Sequence, residues 1–81
     1  MKEVNVIIVE DESGAANNLK YLLADVAPHF NILSMLTGIK ETVEWLEGNV
    51  APDLAFFDIQ LEDGQSFEIF KQVTVNFPVI F

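Results

Sequence analysis

Cysteine is absent from this sequence, which excludes a disulfide scaffold, a thiolate zinc site and a thiol nucleophile. Basic residues are scarce: four Lys and Arg stand against 13 Asp and Glu, a net charge of −9. So few cations disfavour direct nucleic-acid binding, because the phosphate backbone rewards Lys and Arg. An anionic membrane surface is disfavoured for the same reason. The acidity suits a protein that binds cations or docks on a basic partner, and it also keeps an apolar chain soluble. No apolar stretch approaches the roughly 20 residues of a membrane-spanning helix. Met1-Lys2-Glu3 lacks the apolar run of a signal peptide, so a cytoplasmic location is expected. Linkers, repeats and low-complexity segments are also missing.

What is present is an apolar chain of 81 residues, 51% hydrophobic, which argues against disorder. It is one domain at most, short beside the roughly 100–150 residues usual for a domain. A chain this small buries only about 60% of its unfolded surface, so its stability margin is thin.

The apolar patterning alternates between strand and helix. Val4 to Val9 reads VNVIIV, a strand covered on both faces. Ser13 is the expected N-cap of a helix running to about Ala27. The expected buried face of that helix holds Ala15, Ala16, Leu19, Leu22, Leu23 and Val26. Phe30 to Leu36 is a second strand, and Lys40 to Glu47 a second helix with Gly48 as its C-cap. Leu54 to Phe57 is a third strand, with Phe56 and Phe57 facing opposite sides of the sheet. Asp63-Gly64 marks a turn. A third helix is expected over Ser66 to Val75, with Phe67, Phe70 and Val73 or Thr74 on one face, and Pro78 to Phe81 starts a fourth strand. The order β-α-β-α-β-α-β implies a parallel sheet with right-handed crossovers.

In open parallel sheets, sites form beyond the carboxyl ends of the strands. Two such ends carry acid: Glu10-Asp11 after the first strand and Asp58 after the third. If those strands are neighbours, three carboxylates converge, and their mutual repulsion calls for a hard cation. Mg²⁺, which prefers oxygen ligands and keeps several waters, suits so small a set. Calcium fits less well, because the D-x-D-x-D-G spacing of an EF-hand loop is lacking. A carboxylate beside Mg²⁺ can also act as a nucleophile in phosphoryl transfer. Acids after strands are also common in loops, and spacing alone leaves both readings open. Glu12 reads as a solvated first-turn residue, Glu62 and Asp63 as loop acids, with Asp63 shaping the turn. His29, the one histidine, reads as a surface residue near a helix end rather than a phosphorelay group. Trp45 and the seven Phe read as packing groups.

VIIVEDE followed by an amphipathic helix resembles the opening of bacterial response-regulator receiver domains. LAFFDIQLEDGQSFEIF resembles their phosphoacceptor strand with its following loop, and PVIF their fourth strand. The wording FDIQL-x-DG is most similar to receivers of LytTR-type transcriptional regulators. The resemblance spans essentially the whole chain. It implies a flavodoxin-like, doubly wound α/β sheet with strand order 2-1-3-4 over residues 1–81. It implies Asp58 as phosphoacceptor, with Mg²⁺ on Asp11 and Asp58, Glu10 acting largely through water, and the Gln60 backbone carbonyl as a further ligand. The donor would be a phosphohistidine on a sensor histidine kinase, or a small phosphodonor such as acetyl phosphate. Output would pass to a C-terminal domain, DNA-binding in the transcriptional regulators. Such a chain is a signalling phosphoacceptor rather than an enzyme.

Measured against the family pattern, the sequence reads as an N-terminal portion. The family's switch Thr or Ser, its Lys, the fourth helix, fifth strand and fifth helix fall beyond Phe81. Slow or absent phosphorylation and self-association through the exposed fourth strand or bare sheet face are therefore expected, the latter to be decided by the mass in solution. Glu62 stands where relatives often have Pro, and Gln65-Ser66 replaces a commoner small or Gly-containing pair. Two rival readings fit less well. Haloacid-dehalogenase-type phosphatases carry a second acid two residues after the nucleophile, where this chain has Gln60. A flavodoxin-like cofactor protein would have a first loop rich in Ser, Thr and Gly instead of acid. A degenerate receiver acting only as an interaction module stays as the alternative.

Overall fold

The computed structural model of the chain describes residues 3–81; Met1 and Lys2, part of the start read above for a leader, lie outside them. Four parallel strands form the sheet: β1 (Val4–Val9), β2 (Phe30–Leu36), β3 (Leu54–Phe57) and β6 (Val79–Ile80), in the order β2-β1-β3-β6. With β6 as the fourth strand anticipated from Pro78 to Phe81, this is the expected 2-1-3-4 arrangement. β1 is central, and Val6, Ile7, Ile8 and Val9 are all buried because helices cover both of its faces.

On one face, α1 (Ser13–Val26) packs Ala16 and Leu23 against Ile8, with Leu19, Phe30, Ile32 and Phe56 around them. On the other, α2 (Ile39–Gly48) and α3 (Ile69–Gln72) enclose Ile7, Val9, Ala55, Phe57 and Leu61. Phe56 and Phe57 do take opposite faces, as alternation along a strand requires.

Local details depart from the sequence expectation. The N-cap of α1 is Glu12, not Ser13: its Oε1 accepts the Gly14 N–H at 3.1 Å, a bond that leaves Ser13 inside the helix. Leu22 and Val26, expected in the core, are 53% and 72% exposed. The Ala16–Leu19–Leu23 row meets the sheet, and no described element covers the flank beside it. Gly48 is the last residue of α2; the C-cap is Asn49, whose Nδ2 donates to the Trp45 carbonyl at 2.8 Å.

The third helix is the largest departure. A 3-10 turn over Ser66–Glu68 precedes a single α-helical turn, and Val73 is already extended at φ −138°, ψ 156°. The β-branched run Val73-Thr74-Val75 explains the early end. The 3-10 turn, at 3.0 residues per turn, also shifts the phase of the α-helical turn after it. Ile69 is therefore fully buried while Phe67 and Phe70 stay partly exposed. Ahead of this turn, β4 (Gln60–Leu61) and β5 (Gly64–Gln65) form a small antiparallel hairpin where only a turn was anticipated.

Candidate metal centre

Register brings the acids together. β1 and β3 pair in parallel with Ile8 opposite Phe56 and Val9 opposite Phe57, so the next residues, Glu10 and Asp58, leave the sheet side by side. Backbone bonds extend beyond the strands to hold them there. The Asp58 N–H donates to the Val9 carbonyl at 2.8 Å, and the Glu10 N–H to the Leu36 carbonyl at 2.9 Å. One carboxylate oxygen each from Glu10, Asp11 and Asp58 lies within 4.8 Å of the others. Glu10 and Asp58 are half-buried and Asp11 is exposed.

Among the described residues no Lys forms a salt bridge with the trio. Among the described residues the one salt bridge is Lys71–Glu68, elsewhere on the surface. The electrostatic cost shows at Glu10, whose carboxyl titrates above its ordinary range. Burial is the main cause; the neighbouring Asp58 and then Asp11 add to it, while the Glu12 N–H pulls the other way. Three oxygen donors with excess negative charge and no nitrogen or sulfur among them suit a hard divalent cation such as Mg²⁺ rather than the softer metals that seek nitrogen or sulfur. Beside the trio a cleft of about 300 Å³ opens between α1 and the sheet ends, with Ala15, Leu19, Phe56 and Phe81 on its walls.

The other residues singled out in the sequence fall in different places. Gln60 opens the hairpin two residues after Asp58; its side-chain amide bonds weakly to the Leu61 carbonyl at 3.4 Å and takes no part in the carboxylate cluster. His29 lies at the opposite, amino-terminal edge of the sheet, edge-on to Phe30 at 4.9 Å. Glu62 is exposed.

Asp63 does more than shape its loop. Its Oδ1 accepts the Ile39 N–H at 2.8 Å and its Oδ2 the Lys40 N–H at 3.2 Å, so it caps α2 from 24 residues away. These two bonds hold its carboxyl below the ordinary range. The available signal was negative: α2 begins after Gly38, which offers no side chain to satisfy the free N–H groups of a helix start. A carboxyl depressed in the folded state stabilises the fold above its unfolded value and loses that contribution as pH falls through the folded value. Asp63→Asn is therefore expected to flatten the acid limb of unfolding midpoint against pH; an unchanged limb would contradict the assignment.

No family model matches the chain. Among curated proteins it is 38% identical over 66 residues to the sensory transduction protein LytT of Bacillus anthracis, covering 82% of this chain and 26% of that protein. It is 34% identical over 70 residues to the sensory transduction protein LytR of Staphylococcus haemolyticus, covering 86% and 27%. The chain thus spans about a quarter of the length of the curated relatives it matches. Among solved structures, the response regulator PhyR from Brucella abortus superposes with a TM-score of 0.81 at 22% identity, over 98% of this chain and 32% of that one. The anti-anti-sigma factor PhyR from Bartonella quintana superposes with a TM-score of 0.80 at 23% identity, over 100% and 33%.

This is a response-regulator receiver fold. In it the acids of β1 and β3 meet where β1 has β2 on one side and β3 on the other, the switch point at which open α/β sheets place their ligands. By name, the proteins it resembles are sensory transduction proteins and a response regulator. Among the described residues no helix is long and apolar enough to cross a membrane.

Proposed function

We propose that this chain is the phosphoacceptor unit of a two-component response regulator, with Asp58 as the acceptor and Mg²⁺ held by Glu10, Asp11 and Asp58. The convergence of those three carboxylates within 4.8 Å at the sheet's switch point supports this reading above all else. The backbone carbonyl of Gln60 joins the ligand set on the strength of the family resemblance. When bound, Mg²⁺ supplies charge neutralisation for the phosphoryl oxygens.

The chain's own residues do the rest. Asp58 is held by its N–H bond to the Val9 carbonyl and lines the cleft beside α1. A carboxylate oxygen of Asp58 attacks the phosphorus of a phosphohistidine; the new O–P bond forms as the N–P bond breaks, and the imidazole leaves with the electron pair. Little covalent work falls to other groups, because phosphoryl transfer depends mainly on in-line positioning and charge. Its partners on this reading are a sensor histidine kinase as donor and an output domain in the parent protein, in the cytoplasm.

Incubation with beryllofluoride or acetyl phosphate plus Mg²⁺, followed by intact-mass and fluorine or phosphorus NMR, tests the reading. An adduct on the wild type that is missing from Asp58→Asn is expected. No adduct on either protein would favour a domain that only binds partners.

A further inference from the structure

The segment between Asp58 and α3 is tied to α2 by one directional contact. The hairpin closes on itself: Gln60 pairs with Gln65, Leu61 with Gly64, and the Ser66 N–H donates to the Ile59 carbonyl at 2.8 Å. From its tip, Asp63 bonds both leading N–H groups of α2. Two glycines make room for that contact. A Cβ on Gly38 would stand 3.1–3.3 Å from the Asp63 carboxylate. Gly64 adopts φ 134°, which side-chain-bearing residues rarely take, and a Cβ there would press on Ile39 at 3.2 Å. Beneath the tip, Leu61 is buried in the same core cluster as Ile39.

We propose that Asp63 is a positioning residue for the metal centre: by capping α2 it fixes the hairpin and, through it, the Gln60 carbonyl relative to Asp58. The inference rests on the Mg²⁺ reading above. Apolar packing of Leu61 keeps the hairpin against the core but leaves sliding free; paired hydrogen bonds to a helix end remove that freedom. A closed hairpin moves as a unit, so a shift at Asp63 is delivered to Gln60 three residues earlier. Loss of the supporting bonds behind a metal ligand typically costs about 10–100-fold in affinity.

The experiment is a Mg²⁺ titration of the whole chain followed by backbone amide shifts, with Asp63→Ala, Asp63→Asn and Glu62→Gln as variants. Asp63→Ala is expected to bind Mg²⁺ about tenfold more weakly, the usual scale for loss of such a supporting partner. Its Ile39 and Lys40 amides should exchange faster. Asp63→Asn, which keeps one acceptor oxygen, should recover much of the affinity. Glu62→Gln removes a neighbouring charge without a cap and should leave affinity unchanged. A purely structural role would lower the unfolding midpoint of Asp63→Ala while its folded fraction bound Mg²⁺ as wild type, and that result overturns the proposal. So does an equal loss in Glu62→Gln, which would make the effect one of charge. A wild-type chain that never responds to Mg²⁺ would defeat the underlying reading, and this one with it.

Discussion

Asp58→Ala is expected to abolish the stabilisation that Mg²⁺ confers and, without metal, to raise the unfolding temperature. The two halves have one cause. Three carboxylates within 4.8 Å repel each other in the absence of a cation. Each like-charge contact at such distances costs about 1 kcal/mol even at the dielectric of water, and more where the groups are half-buried. Removing Asp58 relieves two of these contacts and deletes a ligand in the same step. In the wild type, Mg²⁺ at about a hundred times its Kd adds roughly 2.7 kcal/mol. For a chain of this size each kcal/mol moves the midpoint by about 4–8 °C, so the difference is large. Thermal unfolding of both proteins across a Mg²⁺ series, followed by circular dichroism, reads it directly. Equal Mg²⁺ shifts in wild type and variant would rule out Asp58 as a ligand.

Ile7→Ala should bring the chain close to unfolding at room temperature, whereas Leu22→Ala should leave it nearly unaffected. Ile7 is fully buried at the middle of the central strand, among Val9, Ala55 and Phe57. Truncating such a residue costs about 2–5 kcal/mol, from lost transfer energy and from the cavity left behind. At roughly 0.05–0.15 kcal/mol per residue, a chain of 81 residues has only about 4–12 kcal/mol to lose. Leu22 is 53% exposed on α1, where substitutions usually stay within about 0.5 kcal/mol. Urea unfolding of the three proteins separates the cases. A loss at Leu22 as large as that at Ile7 would mean that the outer flank of α1 is covered in solution, for instance by a second copy.

The strands were the most legible elements. VNVIIV and LAFF are short apolar runs with no helical period, and each forms the strand expected of it. Glu10, Asp11 and Asp58 were legible for a related reason: acid that immediately follows an apolar strand must lie at a sheet end, and these three do meet. The helices were less legible. Periodicity marks every apolar residue on a broad face, yet only the row that touches the sheet is buried, which leaves Leu22 and Val26 outside the core expected to hold them. In the third helix the pattern put Phe67 and Phe70 on one face without deciding how deep they lie; a 3-10 turn gives the fully buried place to Ile69. The capping of α2 by Asp63 left only a negative local trace, the missing side chain of Gly38, since the partners stand 24 residues apart.

What the sequence determined by itself is what depends on neighbours along the chain: strand against helix, the alternation that sends Phe56 and Phe57 to opposite faces, and the placing of acid at strand ends. Which strand lies beside which was implied by the family resemblance and not by the local pattern; whether an apolar helix flank is covered, and which side chain reaches the open start of α2, were decided by the tertiary structure alone. These depend on distances between segments far apart in the chain, and no pattern of adjacent residues encodes such a distance until the sheet has assembled.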